Sequence, residues 1–119
     1  MRRVILFVQD LSKVGAFYRD VLGLPMKISP DDPKAWLEFA ADGCSIALHD
    51  GGAPGAGRRQ PKVVFYAEDI TQVRAELIAR GARLGPVQDT GEFQFCDGKD
   101  PEGNPYSFQQ PTVIISNQD

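Results

Sequence analysis

Long apolar runs are missing from this chain. The longest last only a few residues, so no segment is expected to span a membrane. Met1-Arg2-Arg3 leads straight into a strand-like stretch. No apolar region with a small-residue cleavage site follows it, and no export signal is expected. Positive charge is also scarce: 13 Lys and Arg face 16 Asp and Glu, for a net charge of −3. The only basic doublets are Arg2-Arg3 and Arg58-Arg59, so nucleic acid is not an expected partner. There is one histidine, His49, and there are two cysteines, Cys44 and Cys96, in separate strand-like runs. Without an export signal the cysteines are expected as reduced, buried thiols of a cytoplasmic protein. Apolar residues make up 42%, far too many for a disordered chain.

What the sequence does contain is a repeat. Arg3-Val4-Ile5-Leu6-Phe7-Val8-Gln9-Asp10-Leu11 returns as Lys62-Val63-Val64-Phe65-Tyr66-Ala67-Glu68-Asp69-Ile70. Each is a basic residue, an apolar strand-like run, an acidic N-cap and the start of a helical pattern. The two caps, Asp10 and Asp69, lie 59 residues apart, half of the 119-residue chain. Such a period marks two copies of one supersecondary unit.

In the first copy, Leu11, Val14, Phe17, Tyr18, Val21 and Leu22 keep helical spacing until Gly23 and Pro25 end the helix. Short strands are expected over Met26–Ser29, Lys34–Ala41 and Cys44–His49, the last two joined by an Asp42-Gly43 hairpin turn. In the second copy, Asp69 and Gln72 resemble a capping box and Ile70, Val73, Leu77 and Ile78 form an apolar stripe. Strands follow over Ala82–Val87, Gly91–Asp97 and Asn104–Gln109. Residues 51–61, rich in glycine, read as a flexible linker between module 1 (about 1–50) and module 2 (62–110). The expectation is a single α+β domain of 1–119, with two tandem βαβββ modules, eight strands and two principal helices.

The βαβββ order, the run Phe17-Tyr18-Arg19-Asp20-Val21-Leu22-Gly23 and the turn Asp100-Pro101-Glu102-Gly103-Asn104 resemble the vicinal oxygen chelate superfamily. That superfamily includes glyoxalase I, bleomycin-resistance proteins and extradiol dioxygenases. The resemblance spans about Arg3 to Gln110 and implies curled mixed sheets around a cavity. It also implies that four cavity ligands, usually His and Glu, hold a divalent ion in the metal-dependent members. The matching positions here hold Arg3, Ala47, Lys62 and Ser107. Arginine cannot deprotonate to ligate, and alanine has no donor. No metal or other cofactor is therefore expected at that site; a divalent ion held by His49 and Glu38 is the fallback.

Strand alternation sets the residues that face the cavity. Arg3, Ile5 and Phe7 share a face, as do Ser45, Ala47 and His49, then Lys62, Val64 and Tyr66, then Ser107 and Gln109. Trp36 and Glu38 are expected on the same face. The ligand-binding set is thus Arg3, Phe7, Trp36, Ala47, Lys62, Tyr66, Ser107 and Gln109, with His49 and Glu38 as candidate catalytic groups. Metal-free binding of a small organic ligand is the leading expectation. A lyase, isomerase or dioxygenase with displaced ligands is the alternative, and a dimeric interaction module with a vestigial cavity is a third. The resemblance implies a homodimer, and the apolar tail triplet Val113-Ile114-Ile115 adds a hint of an interface.

Overall fold

Two aspartates set the frame. Asp10 accepts a hydrogen bond from the Lys13 backbone N–H (3.0 Å) and Asp69 accepts one from that of Gln72 (3.1 Å), so each satisfies an orphan donor of a first helical turn. The computed structural model describes residues 1–27 and 36–112. In chain order it contains β1 (Arg3–Val8), α1 (Leu11–Ala16), β2 (Trp36–Ala41), β3 (Cys44–Asp50), β4 (Val63–Tyr66), α2 (Ile70–Ala79), β5 (Gln88–Asp89), β6 (Phe93–Lys99) and β7 (Pro105–Pro111). A π-helical turn, Phe17–Val21, extends α1, and a 3₁₀ turn, Ala56–Arg59, precedes β4.

The strands form two sheets of the same design, ordered β1-β3-β2 and β4-β7-β6-β5. In each, the first strand runs parallel to the last and the middle strand antiparallel to it. The repeat in the sequence is therefore a repeat in space. The hairpin turn is also where expected: Asp42 and Gly43 both have positive φ (47° and 83°), as a two-residue turn between twisted strands requires.

Four expectations need correction. Among the described residues there are seven strands rather than eight. In module 1 the expected strand Met26–Ser29 is described only at Met26 and Lys27, where Met26 bridges Phe39; Ile28 and Ser29 lie outside the described residues. In module 2 the strand placed at Ala82–Val87 is a bridge at Leu84, with regular pairing only at Gln88–Asp89. Pro86 interrupts it, because proline has no N–H for a ladder. The capping box is half formed: the Gln72 side chain donates to Glu76 (3.2 Å) instead of turning back to Asp69. The linker is not loose either. Gly52 donates to the Val8 carbonyl (3.0 Å), and Gly57 packs so closely on the Glu102 carbonyl that a Cβ there would overlap it. The tail triplet Val113-Ile114-Ile115 lies outside the described residues.

One face of each sheet carries the helices. Leu6, Val8, Phe39, Ile46 and Leu48 are buried with Val14 and Tyr18, and Phe65, Cys96, Tyr106 and Phe108 with Ile70 and Leu77, in one continuous core. Cys96 is buried as expected, which pushes its thiol up, but Cys44 is only half-buried; both are free. The widened turn after Ala16 lets Leu22 N–H reach the Phe17 carbonyl (3.0 Å) and aims Tyr18 into the seam between the modules. There its hydroxyl donates to Asp100 (2.9 Å). Burial, with that carboxylate alongside, pushes the Tyr18 hydroxyl far up, so it remains a donor. The Glu102 carboxylate closes the same seam by accepting from the backbone N–H groups of Gln9 (2.8 Å) and Asp10 (2.7 Å). Among the described residues no helix is long and apolar enough to cross a membrane.

Candidate functional site

The faces turned away from the helices are open. Ile5 and Phe7 are 41% and 49% exposed and Val64 and Tyr66 are 49% and 66% exposed, far more than strand aromatics and aliphatics usually allow. Register places Phe7, His49 and Trp36 in one row across module 1, since Phe7 pairs with His49 and Trp36 with His49. Their rings touch: Phe7 and His49 at 5.4 Å between centroids, Trp36 edge-on to His49 at 5.6 Å. The next row is Ile5, Ala47 and Glu38. Beyond it, Arg3 pairs with Ser45.

Glu38 is the electrostatic centre of this face. It is 7% exposed. Ser45 Oγ donates to it (2.5 Å), as do Trp36 Nε1 (3.2 Å), Arg3 Nε (3.2 Å) and Lys27 Nζ (3.4 Å). Arg3 Nη2 adds a second, bidentate arm at 3.1 Å. The Ser45 hydroxyl, then Trp36 and Arg3, outweigh burial and hold the Glu38 carboxyl down at about 2. Glu38 is therefore a fixed carboxylate with its lone pairs in use. Arg3 in turn lies over the Trp36 ring, 5.2 Å from its centroid.

His49 is not paired with Glu38. Its Nδ1 lies 2.7 Å from the Asp50 carbonyl and 3.2 Å from the Asp50 carboxylate. A carbonyl only accepts, so Nδ1 is the donor of this contact. The two candidate catalytic residues thus share a face without forming a hydrogen-bonded pair.

Module 2 repeats the pattern. Arg3 and Lys62, Ile5 and Val64, Phe7 and Tyr66, Trp36 and Phe95, and Glu38 and Asp97 are all 59 residues apart. Val64 pairs with Ser107 and Tyr66 with Gln109 on one side, and Asp97 with Ser107 and Phe95 with Gln109 on the other. Ser107 and Gln109 therefore take the places of Ala47 and His49. Lys62 Nζ meets Asp97 Oδ1 at 3.1 Å, the counterpart of the Arg3–Glu38 pair, but half-exposed. Phe95 and Asp97 escaped the sequence reading, although the repeat offset applied to Trp36 and Glu38 points straight at them. Lys27, the fourth donor on Glu38, carries no local signal.

The four positions at which the superfamily's metal-dependent members place ligands do not fit a divalent ion here. Arg3 and Lys62 are cations held by carboxylates. Ala47 is fully buried and offers no donor, and the Ser107 hydroxyl is buried and donates to the Cys96 carbonyl (3.1 Å). Among the described residues no group of three His, Cys, Asp or Glu side chains is placed to hold a metal.

The sequence matches the family model for a glyoxalase-like domain over residues 3–108. No curated protein sequence matches it. Similar solved structures include lactoylglutathione lyase from Agrobacterium tumefaciens, with a TM-score of 0.75, 23% identity and 92% of each chain covered. TnmS3, an antibiotic binding protein from Streptomyces sp. CB03234, aligns with a TM-score of 0.80 and 22% identity, covering 94% of this chain and 95% of that one. At these identities the likeness shows the fold alone, and the fold carries both a lyase and a binding protein.

Proposed function

The chain belongs to the glyoxalase-like family, within the vicinal oxygen chelate superfamily, and we propose that it binds a small, partly aromatic organic ligand on its open sheet faces without a metal ion. The observation that carries this reading is the Phe7–His49–Trp36 cluster set against a carboxylate whose donors are all internal. A half-exposed aromatic row offers a flat ligand stacking area, and the polar groups behind it are fixed in advance, which lowers the cost of binding. Arg3, Phe7 and Trp36 form the module 1 half of the site, and Lys62, Tyr66 and Gln109 the module 2 half, while Ala47 and Ser107, expected to line it, are buried beneath these side chains. The free thiols of Cys44 and Cys96 suit a reducing cytoplasm.

The test is calorimetric titration with a panel of aromatic metabolites and antibiotics, in the presence and absence of EDTA. Binding insensitive to chelator is expected, together with a change in Trp36 emission. Trp36→Ala should weaken binding by about 1–3 kcal/mol, the scale of burying a large aromatic against a partner. A ligand lost on adding EDTA would overturn the metal-free reading, and unchanged affinity in Trp36→Ala would remove that ring from the site.

A second reading rests on the orientation of His49. With Nδ1 turned to the Asp50 carbonyl, Nε2 of the neutral ring would be the atom that takes a proton in a metal-free lyase or isomerase. Turnover abolished in His49→Gln, with ligand binding intact, would establish it.

The open faces also support a homodimer. Ile5, Phe7, Val64 and Tyr66 present apolar surface that a second copy would cover, enclosing the site. The dimer should bury more than about 1,000 Å² in total. Light scattering at micromolar concentration should return twice the mass of one chain; a monomer mass ends this part of the proposal.

A further inference from the structure

The two modules repeat each other's framework, yet they differ in charge at one corner. In module 1, the Lys27 N–H bonds the Glu38 carbonyl (2.8 Å) and the Ala40 N–H bonds the Pro25 carbonyl (2.8 Å). In module 2, the Gly85 N–H bonds the Asp97 carbonyl (3.0 Å), so Gly85 stands where Lys27 does. Arg83 then corresponds to Pro25, and Lys99, two residues past Asp97, corresponds to Ala40. Two neutral positions in module 1 are thus cationic in module 2, while the cationic Lys27 is matched by the neutral Gly85.

These residues line a cleft. Lys62, Arg83, Asp97, Gly98, Lys99 and Pro105 surround a volume of about 510 Å³. It brings together three cations and one carboxylate, on a chain whose net charge is −3. Asp97 compensates Lys62 at 3.1 Å. Arg83 and Lys99 are exposed, and among the described residues neither has a carboxylate partner. Like charges around one concavity repel one another, and a cleft focuses their field outward. The arrangement is matched by an anion with more than one charge: a guanidinium grips two oxygens at once, while the lysines act as point charges beside it.

We infer that the module 2 cleft formed by Lys62, Arg83 and Lys99 binds a small polyanion, a phosphate ester or a polycarboxylate. This cleft shares Lys62 with the open face but does not depend on the aromatic rows. Asp97 tempers it: it holds Lys62 in place and removes one positive charge, so the cleft as it stands is weaker than its lysines and arginine would otherwise make it.

The experiment is titration of the full chain with inorganic pyrophosphate and, separately, with citrate, followed by calorimetry and amide chemical shifts. Sodium chloride at matched ionic strength is the reference. Saturable binding is expected for at least one anion, with shifts centred on Arg83, Asp97 and Lys99. The arm that binds more tightly identifies phosphate or carboxylate chemistry. The double variant Arg83→Gln, Lys99→Gln should lose at least tenfold in affinity, while Lys13→Gln, which does not line the cleft, should lose nothing. Asp97→Asn should bind several-fold more tightly, because it frees a charge and keeps the side-chain shape. Both replaced cations are exposed, so an unchanged melting temperature without anion confirms that the double variant folds. An effect no larger than that of sodium chloride, or one retained in the double variant, overturns the inference. If aromatic ligands bind and neither anion does, the ligand-binding reading stands and this inference falls; the reverse result separates them the other way.

Discussion

Asp100→Ala should destabilise the protein by about 3–4 kcal/mol, the cost of leaving several buried donors without an acceptor. The Asp100 side chain is 5% exposed and receives four hydrogen bonds: from the Tyr18 hydroxyl (2.9 Å), Asn104 Nδ2 (2.7 Å) and the backbone N–H groups of Glu102 (2.9 Å) and Asn104 (2.9 Å). Three of these order the turn before β7, and the fourth, from Tyr18, ties that turn to the other module. Removing the carboxylate loosens the turn and opens the seam together. Tyr18→Phe removes only the seam bond and should cost about 1 kcal/mol. Urea unfolding of the two variants measures both, and a loss below 1 kcal/mol in Asp100→Ala would show that the seam is not held there.

The second large effect is a dependence on acid. Glu38 has its carboxyl held down at about 2 in the folded chain, against an ordinary value of 4.5. A depressed carboxyl contributes stability that is fully present above its unfolded value and is lost as pH falls through its folded value. The window is therefore from about pH 4.5 down to about pH 2, and with Arg3 and Lys27 partly screened by solvent the stability at stake is about 1–3 kcal/mol. Glu38→Gln cannot titrate and leaves Arg3 and Lys27 without their counter-charge. The gap in unfolding free energy between wild type and Glu38→Gln should be widest near neutral pH and should shrink steadily below pH 4.5. A gap that stays constant from pH 7 to pH 2.5 would sink the assignment.

Both effects depend on residues whose roles the sequence showed unevenly. Asp10, Asp69, Asp42-Gly43 and the paired apolar runs have local signatures, because capping, turn formation and strand alternation act within a few residues. They fixed the repeated order of elements, the two N-caps and the faces on which Arg3, Phe7, Trp36, Glu38 and His49 lie. What stayed hidden is what acts at long range. Glu102 sits in a turn with no helical pattern of its own, yet it accepts from Gln9 and Asp10, more than 90 residues earlier. The four donors on Glu38 come from two strands of the sheet, from Trp36 on its own strand and from Lys27 beside the bridge at Met26. The short edge pairing of module 2 is hidden for a related reason. Ala82 to Val87 has strand chemistry, but a strand exists only where a neighbour pairs with it, and among the described residues that stretch pairs only at Leu84, with Gly98.

The seam has a consequence for how fast the chain folds and unfolds. Its contacts join residues 82 to 93 positions apart, from Tyr18–Asp100 to Gln9–Glu102. The hairpin β2–β3 closes over a two-residue turn, and β6–β7 closes over the short turn capped by Asp100. Short closures precede long ones, because loop-closure entropy must be met before distant contacts repay it. Each half should thus assemble around its own hairpin, with the seam joining after the rate-limiting barrier. A change at the seam then leaves the refolding rate nearly untouched and appears in the unfolding rate, so that the seam sets the lifetime of the native chain rather than the speed of its formation.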